Sequence, residues 1–403
     1  MNTFVYKVRD SSGKPFTGVI EADNVKAAKA KLRVGGYYVV TVSPQHRKSK
    51  TNISGVRIRL DTLLMFTHQL SAMIESGLPI LLGLDIIWKQ MTDPVMQLII
   101  SQIKNSLNSG KSLSEAINEF PRVFPVMYRS LLSVAETGAG LAPILKKLVG
   151  YLTDQQQFVA KIKRAITYPL IVVVFAIIVV ILMFTLVVPT FQKVFSKINV
   201  SLPLVTQIVV DISHLMRSVY FWIIAVALVS IAVFIYKTIS STYSGRLGID
   251  RLKLKLPIFG RINYVASMGR FVRSLGLLLN SGLPVVKSLE VSKATVVNKY
   301  IEEAVDFVKV KITEGDSLSD AMEKAREFPT LLVEMVAVGE KSGTLSDMLD
   351  KVAVYLEEEL DARLDKFLTY LEPILIIFVG GLVAFILVSI YLPIFSIWQG
   401  IHG

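Results

Sequence analysis

The chain has no cysteine among its 403 residues and only four histidines, and both shortages exclude chemistry. Without thiols there is no disulfide framework and no thiolate nucleophile, which fits a reducing compartment. His46, His68, His214 and His402 are scattered and assemble no metal-ligand or nucleophile–base spacing. Charge is also missing from three apolar runs, residues 170–188, 219–236 and 374–392, which contain no Asp, Glu, Lys or Arg. A proton relay or ion path through them has no ionisable groups to use.

Each run is close to the roughly 20 residues that carry a helix across a ~30 Å hydrocarbon core. With 52% hydrophobic yet 19% charged residues, the chain reads as part membrane, part aqueous. The net charge of +12 is accounted for by positive-inside bias and anionic lipid, so no nucleic-acid partner is expected.

The chain also repeats itself, about 205 positions apart. Gly77-Leu78-Pro79 returns as Gly282-Leu283-Pro284, Gly110-Lys111-Ser112-Leu113-Ser114 as Gly315-Asp316-Ser317-Leu318-Ser319, and, after a one-residue slip, Phe124-Pro125 as Phe328-Pro329 and Glu136 as Glu340. Residues kept in both copies are those a shared fold or a shared use requires. Gly110-Lys111-Ser112 resembles the end of a phosphate loop, but the second glycine and entering strand are missing and the other copy carries Asp316. The glycine ends one helix, and Ser112 with Glu115 forms a capping box for the next.

Glu136 and Glu340 persist in otherwise drifted turns, Glu136-Thr137-Gly138 against Glu340-Lys341-Ser342-Gly343. They read either as carboxylates satisfying backbone amides at the next helix start or as contacts to a partner or ion. Tyr168-Pro169 and Glu372-Pro373 stand where the first and third runs begin, Pro189 and Pro393 where they end, so the prolines are expected to bracket the spans. Glu372 reads as a helix N-cap at the membrane boundary or an inter-subunit contact. Gly380, Gly381 and Ala384 form a small-residue face suited to close helix packing.

Organisation follows from these breaks. Residues 1–44 alternate as strands around one Ala/Lys-rich helix, a small α+β unit, and 45–60 form a basic linker. Residues 61–165 and 265–369 form two helical modules of five or six short helices each. Spans occupy 170–188, 219–236 and 374–392, with a loop at 189–218, a basic connector at 237–264 and a tail at 393–403. Lys and Arg crowd the approach to the first span and the segment after the second, placing the N-terminus and both modules in the cytoplasm and the C-terminus in the periplasm. The first residues carry no apolar signal region, so no cleaved leader is expected. The fold class is therefore mainly α: an integral membrane protein with three transmembrane helices, two duplicated cytoplasmic antiparallel helical bundles and an N-terminal α+β unit.

The N-terminal unit, the doubled Gly-Leu-Pro, the glutamate turns, Thr167-Tyr168-Pro169, Leu371-Glu372-Pro373 and the three spans together resemble the type II secretion system F family, the inner-membrane platform proteins of type II secretion and type IV pilus machines. The resemblance covers nearly the whole chain. It departs at Gly138-Ala139-Gly140, where the second copy has Ser342-Gly343. It implies a non-catalytic protein with no cofactor or metal. Its implied partners are a hexameric cytoplasmic ATPase, pilin-like or pseudopilin subunits, other inner-membrane assembly proteins, the lipid bilayer and further copies of itself. The competing reading, a transporter or channel subunit, is opposed by three uncharged spans.

Overall fold

The structure, a computed structural model, describes residues 2–9, 15–34, 36–44, 57–196 and 203–402. Ser12, Gly13, Gly35, Lys197, Gly403 and most of the basic linker, Arg47, Lys48 and Lys50 included, lie outside the described residues. The chain divides into two compact units.

The first is the N-terminal α+β unit. β1 (Asn2–Arg9) pairs antiparallel with β2 (Pro15–Ala22) on one side and β3 (Tyr38–Pro44) on the other, with an irregularity at Lys7/Val8. Alternation sends Phe4 and Ile20 to one face, where they pack with Ala28 and Val25 of α1 (Val25–Val34). Asn24 caps that helix, its Oδ1 accepting from the Ala27 amide at 2.8 Å.

The second unit is helical. Its first module comprises α2 (Leu60–Glu75), α3 (Ile80–Gln90), α4 (Pro94–Asn108), α5 (Leu113–Asn118), α6 (Val126–Val134) and the start of α7 (Leu141–Leu182). The membrane-side elements follow: a π-helical turn (Met183–Val187), α8 (Val188–Ser196), α9 (Leu204–Arg217), α10 (Val219–Ser241) and α11 (Tyr243–Lys255). The second module repeats the six-helix order with α12 (Phe259–Asn280), α13 (Val285–Lys293), α14 (Lys299–Thr313), α15 (Leu318–Ala325), α16 (Thr330–Ser342) and α17 (Leu345–His402).

Corresponding residues in the two modules make corresponding contacts. Phe66 and Phe124 rings lie 6.0 Å apart and their repeats Phe271 and Phe328 lie 5.8 Å apart. Leu70 and Leu275 are fully buried beside them, each such side chain contributing about 1.5–3 kcal/mol. Gly77 and Gly282 adopt φ of +77° and +87°, the left-handed conformation that costs a residue with a Cβ. In both copies the next two amides bond back into the finished helix: Gly77 N to Ile74 O and Leu78 N to Met73 O, Gly282 N to Leu279 O and Leu283 N to Leu278 O. Pro79 and Pro284 then open the following helix. Gly-Leu-Pro is thus a stop and a start in three residues.

A fifth break, between α3 and α4 and between α13 and α14, has no glycine to announce it. Asp93 and Asn298 occupy the equivalent N-cap, each accepting from two backbone amides.

Three stretches are long and apolar enough to cross a membrane: Leu141–Val194, Val219–Ser241 and Leu345–Ser389. Their boundaries correct the expectation for the prolines. Pro169 lies inside α7, Pro373 and Pro393 lie inside α17, and Pro189 is the second residue of α8. Each module therefore runs into its span as one helix. A proline costs an interior helix about 3 kcal/mol in water, but transmembrane helices accommodate it through local readjustment and neighbouring groups.

The 189–218 stretch, expected as a loop, is also largely helical among its described residues. In α9, Thr206, Val209, Val210 and Ser213 fall at helical spacing and are buried. The Thr206 hydroxyl donates to Ser389 O at 2.6 Å and the Ser213 hydroxyl to Phe184 O at 2.5 Å, so α9 fastens span 1 to span 3. The connector likewise contains α11, held by buried Asp250. Its Oδ2 accepts from the Lys299 amide at 3.0 Å and its Oδ1 from Lys253 Nζ at 2.8 Å.

Candidate functional site

The repeated glutamates sit in the same structural role. Glu136 follows α6 and reaches back to the first turn of α5, where its Oε1 accepts from the Ser114 amide at 2.9 Å and its Oε2 from the Ser114 hydroxyl. Glu340 in α16 reaches back to α15: Oε1 accepts from the Leu318 amide at 2.6 Å, Oε2 from the Ser319 amide at 3.0 Å and hydroxyl at 2.6 Å. A carboxylate here satisfies amides left free by the helix start and meets the positive end of its dipole. The helix served is the preceding short one, not the next as expected. Burial raises the Glu136 pKa, but the Ser114 hydroxyl and amide outweigh it and hold the carboxyl below its ordinary 4.5.

Ser112 and Ser317 complete each helix start by accepting from the amides of Glu115 and Asp320, and Glu115 returns a bond from the Ser112 amide.

The turns after the glutamates differ, as the sequence departure implies. In the first copy Ala135–Ala139 forms a π-helical turn containing Gly138 at φ +152°, closed by Gly140 N to Ala135 O at 3.2 Å. In the second, α16 continues to Ser342, Gly343 adopts φ +73°, and Thr344 N bonds Gly339 O at 3.0 Å. Glu136 and Glu340 remain exposed, so both clamped turns present a surface.

The boundary residues are partly brought together. Tyr168 and Pro169 of α7 line one cavity of about 240 Å³ with Glu372 of α17 and Arg164. Pro189 lies elsewhere, in α8. Gly380, Gly381 and Ala384 are exposed, and among the described residues nothing beyond their own helical turn comes within 4 Å of a Cβ built at either glycine. Among the described residues, no three His, Asp or Glu side chains converge as metal ligands would.

A further polar constellation lies where the modules meet, along α7, α12 and α17. Lys147 Nζ donates to Asn280 O at 2.8 Å and Oδ1 at 2.7 Å, Arg273 pairs with Asp154 at 2.8 Å, Lys161 pairs with Asp361 at 2.5 Å, and the Arg270 guanidinium lies 5.0 Å from the Phe158 ring centroid. Asp154, Phe158, Lys161, Arg270, Arg273 and Asp361 rim a cavity of about 110 Å³. Burial pushes Asp350 and Glu357 upward although Arg273 stands nearby to lower them. The junction was not visible in the sequence, because a filter for positions kept in both copies discards contacts made once. Ser114 and Ser319 were visible, since both copies carry Ser-Leu-Ser.

Comparison with known proteins agrees with this architecture. The family model described as "Type II secretion system (T2SS), protein F" matches twice, at residues 66–189 and 271–393, and "Type II secretion system protein F, N-terminal domain" matches residues 1–43. Among relatives, the type IV pilus assembly protein PilC of Thermus thermophilus is 34% identical over 403 residues, covering 98% of each chain. PilC of Myxococcus xanthus is 33% identical over 401 residues, 98% of this chain and 94% of its own. The type II secretion system protein F of Pseudomonas aeruginosa is 29% identical over 409 residues, 99% of each. Two matches to one domain model, preceded by the N-terminal domain and extended by near-full-length relatives, place the chain in the type II secretion system protein F family.

Proposed function

We propose that the chain is a non-catalytic platform of the bacterial inner membrane that couples a hexameric cytoplasmic ATPase to assembly of pilin-like subunits into a pilus or pseudopilus. The observation that carries this reading is mechanical. α7 and α17 each run unbroken from a helical module into a membrane span, and α9 fastens the two spans by hydroxyl bonds. A push or rotation applied to a module therefore reaches the membrane without crossing a flexible loop. The names of the relatives, type IV pilus assembly and type II secretion, support the setting.

In this reading the N-terminus and both modules face the cytoplasm and the C-terminus faces the periplasm, because the basic residues of α11 and of the approach to span 1 follow positive-inside bias. The ATPase-facing surface includes the turns clamped by Glu136 and Glu340. Gly77-Leu78-Pro79 and Gly282-Leu283-Pro284 set the helix directions that form the surface, and Gly138 and Gly343 shape the turns themselves. The test is complementation of a deletion strain with Glu136→Ala and Glu340→Ala. Membrane insertion should persist while filament assembly falls. Normal assembly by both variants would return the glutamates to a purely structural role.

A further inference from the structure

A proline inside a helix leaves the carbonyl four residues earlier without its usual donor, because the ring nitrogen carries no N–H. Pro169 in α7 and Pro373 in α17 do this to the carbonyls of Ala165 and Thr369. Ala165 and Thr369 both line the cavity of about 240 Å³ between the two helices. The same cavity is lined by one cation and one anion, Arg164 of α7 and Glu372 of α17. Among the described residues neither has an ion-pair partner, and the two do not pair with each other. Tyr168, the repeat equivalent of Glu372, adds a hydroxyl.

Beyond this polar end the groove turns apolar. A second cavity of about 410 Å³ lies between α7, α10 and α17, and Leu375 lines both. On its α7 side Val173, Ile177 and Ile181 continue, at helical spacing, the face begun by Ala165 and Pro169. No ionisable side chain lines this second cavity. From Tyr168 to Ile181 the wall runs about 20 Å at ~1.5 Å per residue, enough to cross one leaflet of roughly 15 Å, half the hydrocarbon core. Trp222 of α10 lines its far side, its indole Nε1 donating to Met216 O at 2.9 Å.

We propose that this groove holds one phospholipid with a zwitterionic, primary-amine headgroup, of the phosphatidylethanolamine class, in the leaflet next to the helical modules. Arg164 and the Tyr168 hydroxyl donate to the phosphate. The Glu372 carboxylate and the Ala165 and Thr369 carbonyls accept from the ammonium, whose three donors match three acceptors. One acyl chain runs down the groove to Trp222. Phosphatidylglycerol brings no cation for Glu372, and phosphatidylcholine brings the charge without an N–H, so the site discriminates against both. The ammonium also supplies the donors that the two prolines removed. The proposal requires that the three apolar stretches span a bilayer; it does not require the chain to couple a motor to a filament.

Delipidated full-length protein, given equal amounts of the three lipids, tests this by native mass spectrometry. One phosphatidylethanolamine should stay bound under activation that strips the other two. Glu372→Gln should cut its retention on the order of tenfold and abolish the preference over phosphatidylcholine. Position is read separately by fluorescence. With Trp88→Phe and Trp398→Phe, Trp222 is the only indole left, and a minor fraction of phosphatidylethanolamine with brominated chains in phosphatidylcholine nanodiscs should quench it more than the same fraction of brominated phosphatidylcholine. Equal retention of the three lipids by the wild-type chain would overturn the proposal. So would a preference for phosphatidylglycerol, or quenching that follows mole fraction alone.

Discussion

Glu136 binds Ser114 twice, accepting its backbone amide and its side-chain hydroxyl across 22 residues of chain. The bond pair joins the end of α6 to the beginning of α5, and Glu340 with Ser319 repeats it in the second module. One carboxylate thereby fixes a turn, closes a short helix and leaves its outer edge in water.

Removing the clamp should have a bounded cost. Glu136→Ala and Glu340→Ala should each destabilise their own module by about 0.5–2 kcal/mol, the range for lost helix N-terminal acceptors. Chemical unfolding of the full chain in detergent measures it. The double variant should show the sum of the two losses, because the clamps belong to separate modules.

Acid should act through the same group. The folded-state pKa of Glu136 is depressed, so its stabilisation is fully present above the ordinary value of 4.5 and is lost as pH falls through the lowered folded value. Wild type and Glu136→Gln should differ most near neutrality and converge on the acid side. A gap that stays constant with pH would show that the carboxylate charge is not what the clamp uses.

Backbone conformation makes a separate prediction. Gly77→Ala and Gly282→Ala place a Cβ at positive φ and should each cost about 1–2 kcal/mol, with similar losses in the two copies. Open space surrounds both positions, so the loss reports backbone strain rather than a clash.

Orientation is tested with reporters. A fusion after Gly403 should behave as periplasmic and one at Ser244 as cytoplasmic, as the distribution of Lys and Arg requires. The reverse pattern would turn the modules away from any cytoplasmic motor.

What the sequence made legible was the local punctuation. Gly77, Gly110, Gly282 and Gly315 stop helices where their positive φ is needed, and the constant offset tied the two modules together before any contact was seen. Asp93 and Asn298 were readable caps, but without a neighbouring glycine the break they make passed unnoticed. Pro169 and Pro373 misled, because proline marks a helix start in water and is accommodated inside an apolar span. α9 was hidden in a stretch read as a loop, although Thr206, Val209, Val210 and Ser213 already carried helical spacing. The module junction is tertiary: Lys147 and Asn280 are 133 residues apart, and nothing local to either announces the other.

In the proposed role this chain holds a motor rather than being one. Purified full-length protein in nanodiscs should bind its cognate hexameric ATPase saturably, measured by titration of the labelled ATPase. Glu136→Ala combined with Glu340→Ala should weaken that binding while leaving the protein inserted. Failure of the wild-type chain to bind the ATPase at any concentration would rule out the proposed platform role.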